Sequence, residues 1–293
     1  MRTPHSRVPR LVLPLFLALL LAACNGRGGG HEDGVTIDLD KAKAGPAAPL
    51  PTIYGSRDAS RPLVVLDPGH GGHDPGAISP FGDRREKDVT LAVAAAIKDS
   101  LAASGRVRVA MTREDDRFLV LKDRYEIARR MGAQLFISIH ADAAPQGDGA
   151  RGATIYTLSE VASDKEAAQL AQAQNGADAL AGAPAGAGAG VNRILIDLAQ
   201  RESMEVSADF ANLLKREASA YFPFRSDYHR FASLVVLKAP DVPSILFETG
   251  YLTNPGDAAY IESAEGRKQI AAGMRSAIET HFARRRYGVT AAH

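Results

Sequence analysis

The 293-residue chain carries 45% apolar and 24% charged residues, enough to build one large or two small domains around a full core. Its 35 Lys and Arg balance 34 Asp and Glu to a net charge of +1, which gives no global attraction to nucleic acid, and no nucleic-acid partner is expected. One cysteine excludes an internal disulfide, so the fold must rest on packing or on a metal.

At the N-terminus, Arg2, Arg7 and Arg10 precede the apolar run LVLPLFLALLLAAC, residues 11–24. The run is short for a transmembrane helix and ends in small residues, the layout of a secretory signal. LAAC, residues 21–24, resembles a bacterial lipobox, in which Cys24 is diacylated and becomes the first mature residue. An ordinary signal peptide with a stray cysteine is the alternative. Because Asn25 follows rather than Asp, the resemblance implies an outer-membrane lipoprotein facing the periplasm, held by its acyl chains. The domain plan is a signal over 1–23, a Gly/Pro/Ala-rich tether over 24–60, a catalytic-size domain over 61–288 and a tail over 289–293.

PLVVLD (62–67) is a continuous apolar run, as expected of a strand buried on both faces of a parallel sheet. A helix starts near Glu86, with Val89, Val93, Ile97 and Leu101 on one face. RVRVAMTR is a second strand, FLVLKDRYEIARRMGA a helix stopped by Gly132, QLFISIH a third strand and GATIYTLS a fourth. Residues 160–190 hold a helical segment, SDKEAAQLAQAQNGADALAG, and a low-complexity hinge, APAGAGAG. A helix over SADFANLLKREASAYF, strands at SLVVLK and SILFET, and a helix with the stripe Ile270, Met274, Ile278 and Phe282 complete the domain. The alternation predicts a three-layer α/β domain: a twisted, mostly parallel sheet of about six strands flanked by helices.

Three of these strands end in metal-capable or acid–base residues: His70, His140 and Glu248. In open α/β sheets ligands gather beyond the carboxyl ends of strands, and a short loop returns Glu86 to that same edge. Two histidines and a carboxylate leave a fourth zinc position open, as in a catalytic site, and a second carboxylate beside it can act as general base. Each residue also has a plain structural alternative. Asp83 and Glu86 in DRRE fit a capping box, Glu248 fits a buried hydrogen bond to backbone, and a lone histidine at a strand end is commonly a satisfied polar residue.

VVLDPGHGGHDPGA (64–77), EKDVTLAVA (86–94), LKDRYEIA (121–128), FISIHAD (136–142) and PSILFETGYLTN (243–254) resemble, in order and spacing, the zinc-dependent N-acetylmuramoyl-L-alanine amidases of the AmiA/AmiB/AmiC type. The resemblance implies one zinc ion held by His70, Glu86 and His140, with Glu248 as the catalytic glutamate. It implies hydrolysis of the amide between the lactyl group of N-acetylmuramic acid and L-alanine in peptidoglycan, in cell-wall remodelling or daughter-cell separation. A different zinc hydrolase of the same polymer, or a binding lipoprotein without turnover, is the competing reading. His73 lies outside the matched ligands and is expected at the rim. Asp142 suits either ligand orientation or a turn, and Asn254 either support of the Glu248 loop or a helix cap. His31, His229 and His281 have no motif and are expected on the surface.

In relatives of this type, a helix between the fourth strand and the later helices covers the zinc until a LytM-type activator displaces it. LAQAQNGADALAG resembles that helix, with Gln174 where a metal-reaching glutamate is usual, and Asn175 and Asp178 beside it. An amide is a poorer zinc ligand than a carboxylate, so the segment is expected to act as a steric lid; a surface insertion without regulatory role is the alternative. A monomer is expected, with the lipid anchor standing in for the family's N-terminal targeting domain.

Overall fold

A computed structural model describes residues 49–144, 149–180 and 193–286. The signal, Cys24, His31, most of the tether, the APAGAGAG hinge and the tail lie outside the described residues.

Seven strands form one mixed sheet: β1 (Tyr54–Gly55), β2 (Leu63–Pro68), β3 (Arg108–Met111), β4 (Leu135–His140), β5 (Ala153–Leu158), β6 (Phe224–Ala232) and β7 (Ser244–Glu248). Their order is β1-β3-β2-β4-β7-β5-β6. The block β3-β2-β4-β7 is parallel throughout, and β5 and β6 are parallel to each other. The β7–β5 and β1–β3 junctions are antiparallel.

The helices are α1 (Glu86–Ser104), α2 (Leu121–Arg130), α3 (Lys165–Asn175), the single turn α4 (Ala177–Leu180), α5 (Arg193–Ala218), α6 (Pro255–Glu262) and α7 (Ala264–Arg286). Along the central strands successive side chains feed opposite cores. Val64, Leu66, Leu135, Ile137, Ile139, Ile245 and Phe247 pack with α1, α5 and α7, whereas Val65, Phe136 and Leu246 pack with α2 and α3. That two-sided burial is why these segments read as unbroken apolar runs. The expected stripe of the last helix is buried at Ile270, Met274 and Ile278. Among the described residues no helix is long and apolar enough to cross a membrane.

The sequence reading departs from the structure in four places. SLVVLK is not a strand: Val235–Leu237 forms a 3-10 turn, and the neighbouring strand is Phe224–Ala232. Leu234, Val236 and Leu237 are buried whichever backbone they adopt, so an apolar run alone does not separate strand from turn. FRSDYHRFA sits at the sheet edge with polar side chains exposed, which hides its strand character. Tyr54–Gly55, inside the stretch read as tether, pairs with Val109 and Arg108 at the opposite edge. Finally, α1 starts with Arg85 as an N-cap that makes no side-chain cap bond, placing Glu86 in the first position and Asp83 outside the helix. The capping box does not form, and the Glu86 carboxylate is left to other work.

Candidate metal centre

The parallel pairing of β4 with β7 makes His140 and Glu248 direct register partners at the carboxyl ends of adjacent strands, roughly 4.8 Å apart along the sheet. The chain leaves β2 through Gly69 and His70, and His70 is held at φ 60°, the positive-φ non-glycine residue among those described. That left-handed conformation is costly for a residue with a Cβ, and such conformations cluster at functional sites. Two glycines make room for it. A Cβ on Gly69 would lie 2.3 Å from His140 Cε1, and one on Gly76, at φ +65°, would lie 2.6 Å from Glu86 Oε2. The glycine run is therefore the clearance that lets two imidazoles and a carboxylate converge.

Glu86 bridges the histidines. Its Oε1 is 3.0 Å from His140 Nδ1 and accepts the Ala141 N–H, while its Oε2 accepts the Ala77 N–H and lies 3.1 Å from His70 Nε2. His70 Nδ1 is bonded to Asp74 Oδ2 at 2.8 Å, and a carboxylate oxygen can only accept, so Nδ1 carries the hydrogen. Nε2 of His70 is buried and has no hydrogen-bond partner of good geometry. One ligand atom from each of His70, Glu86 and His140 lies within 4.8 Å of the others. An orphaned imidazole nitrogen turned toward a second imidazole and a fully buried carboxylate is a donor set that fits a divalent metal ion.

The electrostatics agree. Burial alone would lower the His70 pKa, but the Glu86 charge and the bonds to Asp74 and Glu86 push it up to about 10. The site therefore favours a positive charge at Nε2. Burial would raise the Glu86 carboxyl, yet the His70 charge and the hydrogen bond from His140 hold it well below the usual range. Burial drives His140 down, toward the neutral imidazole that a metal requires.

Glu248 is fully buried, and burial followed by the Asp142 and Glu86 charges raises its pKa well above normal. Its Oε2 accepts the Asp142 N–H at 3.1 Å, while Oε1 has no partner. The Asp142 side chain caps its own turn through the Ala143 N–H. Burial and the Glu86 charge push it up to about 7. Asn254 is an N-cap: its Oδ1 accepts from Gly256 and Asp257, and its Nδ2 donates to the Ala150 carbonyl.

Several supporting residues escape the sequence reading. The guanidinium of Arg124 donates to Asp67 Oδ1, to the Pro68 carbonyl and to the His70 carbonyl. Arg113, fully buried, donates to the carbonyls of Pro68, Gly69 and Lys87. Asp67 also accepts from Thr112 and Ser138. Two cations thus hold three successive carbonyls of the turn that carries His70. Asp74, not singled out in the sequence, stands in HGGHD at i+4 from His70, a local relation that could have marked it; the arginines have no such signal.

Of the other histidines, His73 is exposed at the rim and packs on Phe118 at 4.3 Å. The surface expectation fails for two. His229 is half-buried, with Nε2 3.0 Å from Thr157 Oγ1, and His281 is buried between Phe210 and Phe282. Both sit on elements whose packed faces carry polar residues, which apolar periodicity misses.

Helix α3 lies against the centre. Gln174, 7% exposed, lines a residual cavity of about 10 Å³ together with His70, His140 and Asp74, room for about one water. Asn175 is bonded to the backbone of Ser233 and Val235, and Asp178 accepts the Leu121 N–H at the start of α2.

A profile of the N-acetylmuramoyl-L-alanine amidase family, Amidase_3, matches residues 64–280. The chain is 38% identical over 227 residues to AmiC of Neisseria meningitidis, covering 77% of this chain and 54% of that protein. It is 36% identical over 228 residues to AmiA of Escherichia coli K12, covering 77% and 78% respectively. An AmiC from Escherichia coli O6:H1 is spanned over 60% of its length, so the chain covers little more than half of the AmiC relatives it matches. In structure it resembles AmiC2 of Nostoc punctiforme, with TM-score 0.54 and 27% identity over 76% of this chain and 98% of that one. The matched residues contain the His70–Glu86–His140 cluster and Glu248 alike, and the chain belongs to the N-acetylmuramoyl-L-alanine amidase family.

Proposed function

We propose that this protein is a zinc-dependent N-acetylmuramoyl-L-alanine amidase that cleaves the lactyl–L-alanine amide of peptidoglycan. The observation that carries the reading is the buried, unpartnered Oε1 of Glu248 at the strand end beside the His70–Glu86–His140 cluster. His70, Glu86 and His140 would hold the ion, and zinc bound there would supply Lewis acidity for the scissile carbonyl and for water. Glu248 uses Oε1 to take a proton from the attacking water and returns it to the departing alanine amine, while the Asp142 N–H keeps Oε2 in place. Asp74 fixes the His70 tautomer.

The same reading makes α3 a steric lid, with Gln174 over the cluster and Asn175 and Asp178 fastening it. A LytM-type activator protein would displace it. Cys24, lipidated, would anchor a monomer to the outer membrane with its domain in the periplasm, for wall remodelling or daughter-cell separation.

Metal content and muropeptide release of the wild type and Glu248→Ala test the proposal. Zinc at one equivalent in both, with free stem peptides from the wild type only, is the expected result. A zinc-loaded wild type that releases no peptide even after deletion of residues 162–190 would overturn the amidase assignment. Deletion that leaves basal turnover unchanged would overturn the lid.

A further inference from the structure

The far end of α3 makes a second contact that the hydrolytic centre does not use. Asp164, its N-cap, and Glu166, in its first turn, both turn toward two arginines of β6. Glu166 Oε1 is 2.7 Å from Arg225 Nη1, and Oε2 is 2.8 Å from Arg230 Nη1. Arg230 also pairs with Asp164 through Nε at 3.0 Å and through Nη2. Arg230 is only 4% exposed. Arg225 is bonded at 2.7 Å to the hydroxyl of Tyr251, three residues beyond Glu248.

This cluster lies on the Glu248 side of the sheet. Tyr156 is the register partner of Leu246 on one side and of Arg230 on the other, so Arg230 stands two strands, or roughly 10 Å, across the sheet from β7. One helix therefore spans the space from the His70–His140 cavity, at Gln174, to the arginine pair, at Asp164. Its 11 residues measure about 16 Å at 1.5 Å per residue. An extended peptide of about five residues covers the same span.

We propose that Arg225 and Arg230 form a carboxylate-binding subsite for the peptide arm of the substrate, and that Asp164 and Glu166 occupy it as internal stand-ins while α3 is closed. The proposal rests on reading α3 as the lid of an amidase. When α3 leaves, the carboxylate that stays beside the two guanidiniums among the described residues is Asp227, half-exposed on their own strand at 3.1 Å from Arg225 and 3.8 Å from Arg230. With α3 gone each guanidinium has lost its α3 carboxylates, and an incoming anion restores that charge-assisted pairing. A peptide bearing carboxylates on the side chains or α-carbons of its residues supplies that anion, and the planar fork of arginine suits it. Substrate binding and lid opening then draw on the same two cations.

The test uses the intact protein with two soluble probes: a muramyl peptide with free carboxylates and the same compound with those carboxylates amidated. In Asp164→Asn/Glu166→Gln, basal turnover should rise, and KM for the free-acid probe should lie about tenfold below that for the amide. Adding Arg225→Gln and Arg230→Gln should bring the KM values of the two probes together. Arg225→Lys/Arg230→Lys keeps the charge and should retain part of the preference, which preserves the test if the glutamine pair does not fold. Equal KM values for the two probes before the arginines are changed, or a preference that survives their removal, would overturn the subsite. Unchanged basal turnover in Asp164→Asn/Glu166→Gln, together with a carboxylate preference that the arginine changes abolish, would instead overturn the stand-in role and with it the lid reading.

Discussion

His70 donates from Nδ1 to Oδ2 of Asp74 across 2.8 Å, and this one bond leaves Nε2 as the nitrogen that faces Glu86 and His140. Asp74 is itself fixed, its Oδ1 accepting the Gly76 N–H. Loss of the carboxylate in Asp74→Ala frees the ring to rotate and to change tautomer. Partners of this kind typically contribute about 10–100-fold in metal affinity. Chelator competition on the purified protein should show a loss of that size for Asp74→Ala, and unchanged zinc affinity would count against an orienting role.

Arg124 works on the same ligand through the backbone. It is buried against Asp67 and bonded to the His70 carbonyl, beside a residue held at φ 60°. Removing one member of a buried pair leaves the other without its counter-charge, which costs about 3–5 kcal/mol, here lessened by the hydrogen bonds Asp67 keeps from Thr112 and Ser138. Arg124→Met is expected to lose stability on that scale in urea unfolding, with zinc affinity falling as the His70 turn relaxes. A variant as stable as wild type would mean that Arg113 alone holds the turn.

These two residues also mark what the sequence could tell. The strand that leads to His70 and those ending in His140 and Glu248 were legible because burial on both faces writes them as apolar runs. Asp74 was within reach, since an acidic residue four positions from a ligand histidine is a local relation. Arg113 and Arg124 were not, because their partners are main-chain carbonyls distant in sequence, and carbonyls leave no mark in a sequence. The same limit hid β6, whose arginines alternate with exposed polar residues at a sheet edge, and it turned the buried 234–237 run into a false strand. For Glu86 the sequence left cap and ligand open, and the start of α1 at Glu86, with Arg85 as N-cap, removes the capping box.

His281 gives the fold a pH dependence separate from the metal centre. Burial between Phe210 and Phe282, followed by the nearby Arg285 charge, lowers its pKa to about 4, against about 6.5 in an unfolded chain. Between those values the unfolded state binds more protons than the folded one, so stability is full above about pH 6.5 and falls as pH drops toward 4. That gap corresponds to at most about 3 kcal/mol. His281→Leu removes the titration and a buried Nε2 that has no partner. Urea unfolding across pH 4 to 7 should show a flatter acid slope in the variant than in the wild type, and parallel slopes would rule the assignment out.

On the proposed reading of α3 as a lid, Gln174 sets how closely the helix approaches the cluster. It shares the small cavity with His70 and His140, where an amide oxygen is a weak donor to zinc and a carboxylate would be a strong one. Gln174→Glu places a negative charge beside two histidines and the metal they are proposed to hold, and the chain already tethers the new carboxylate at close range. Basal amidase turnover is expected to fall about tenfold or more, and zinc should exchange more slowly with a chelator. Deletion of residues 162–190 should restore both rates, because the carboxylate introduced by Gln174→Glu leaves with the helix. Gln174→Ala should move turnover the other way by opening space above the cluster. If Gln174→Glu matches wild type in turnover and in zinc exchange, position 174 does not reach the metal, and α3 closes the site by bulk alone.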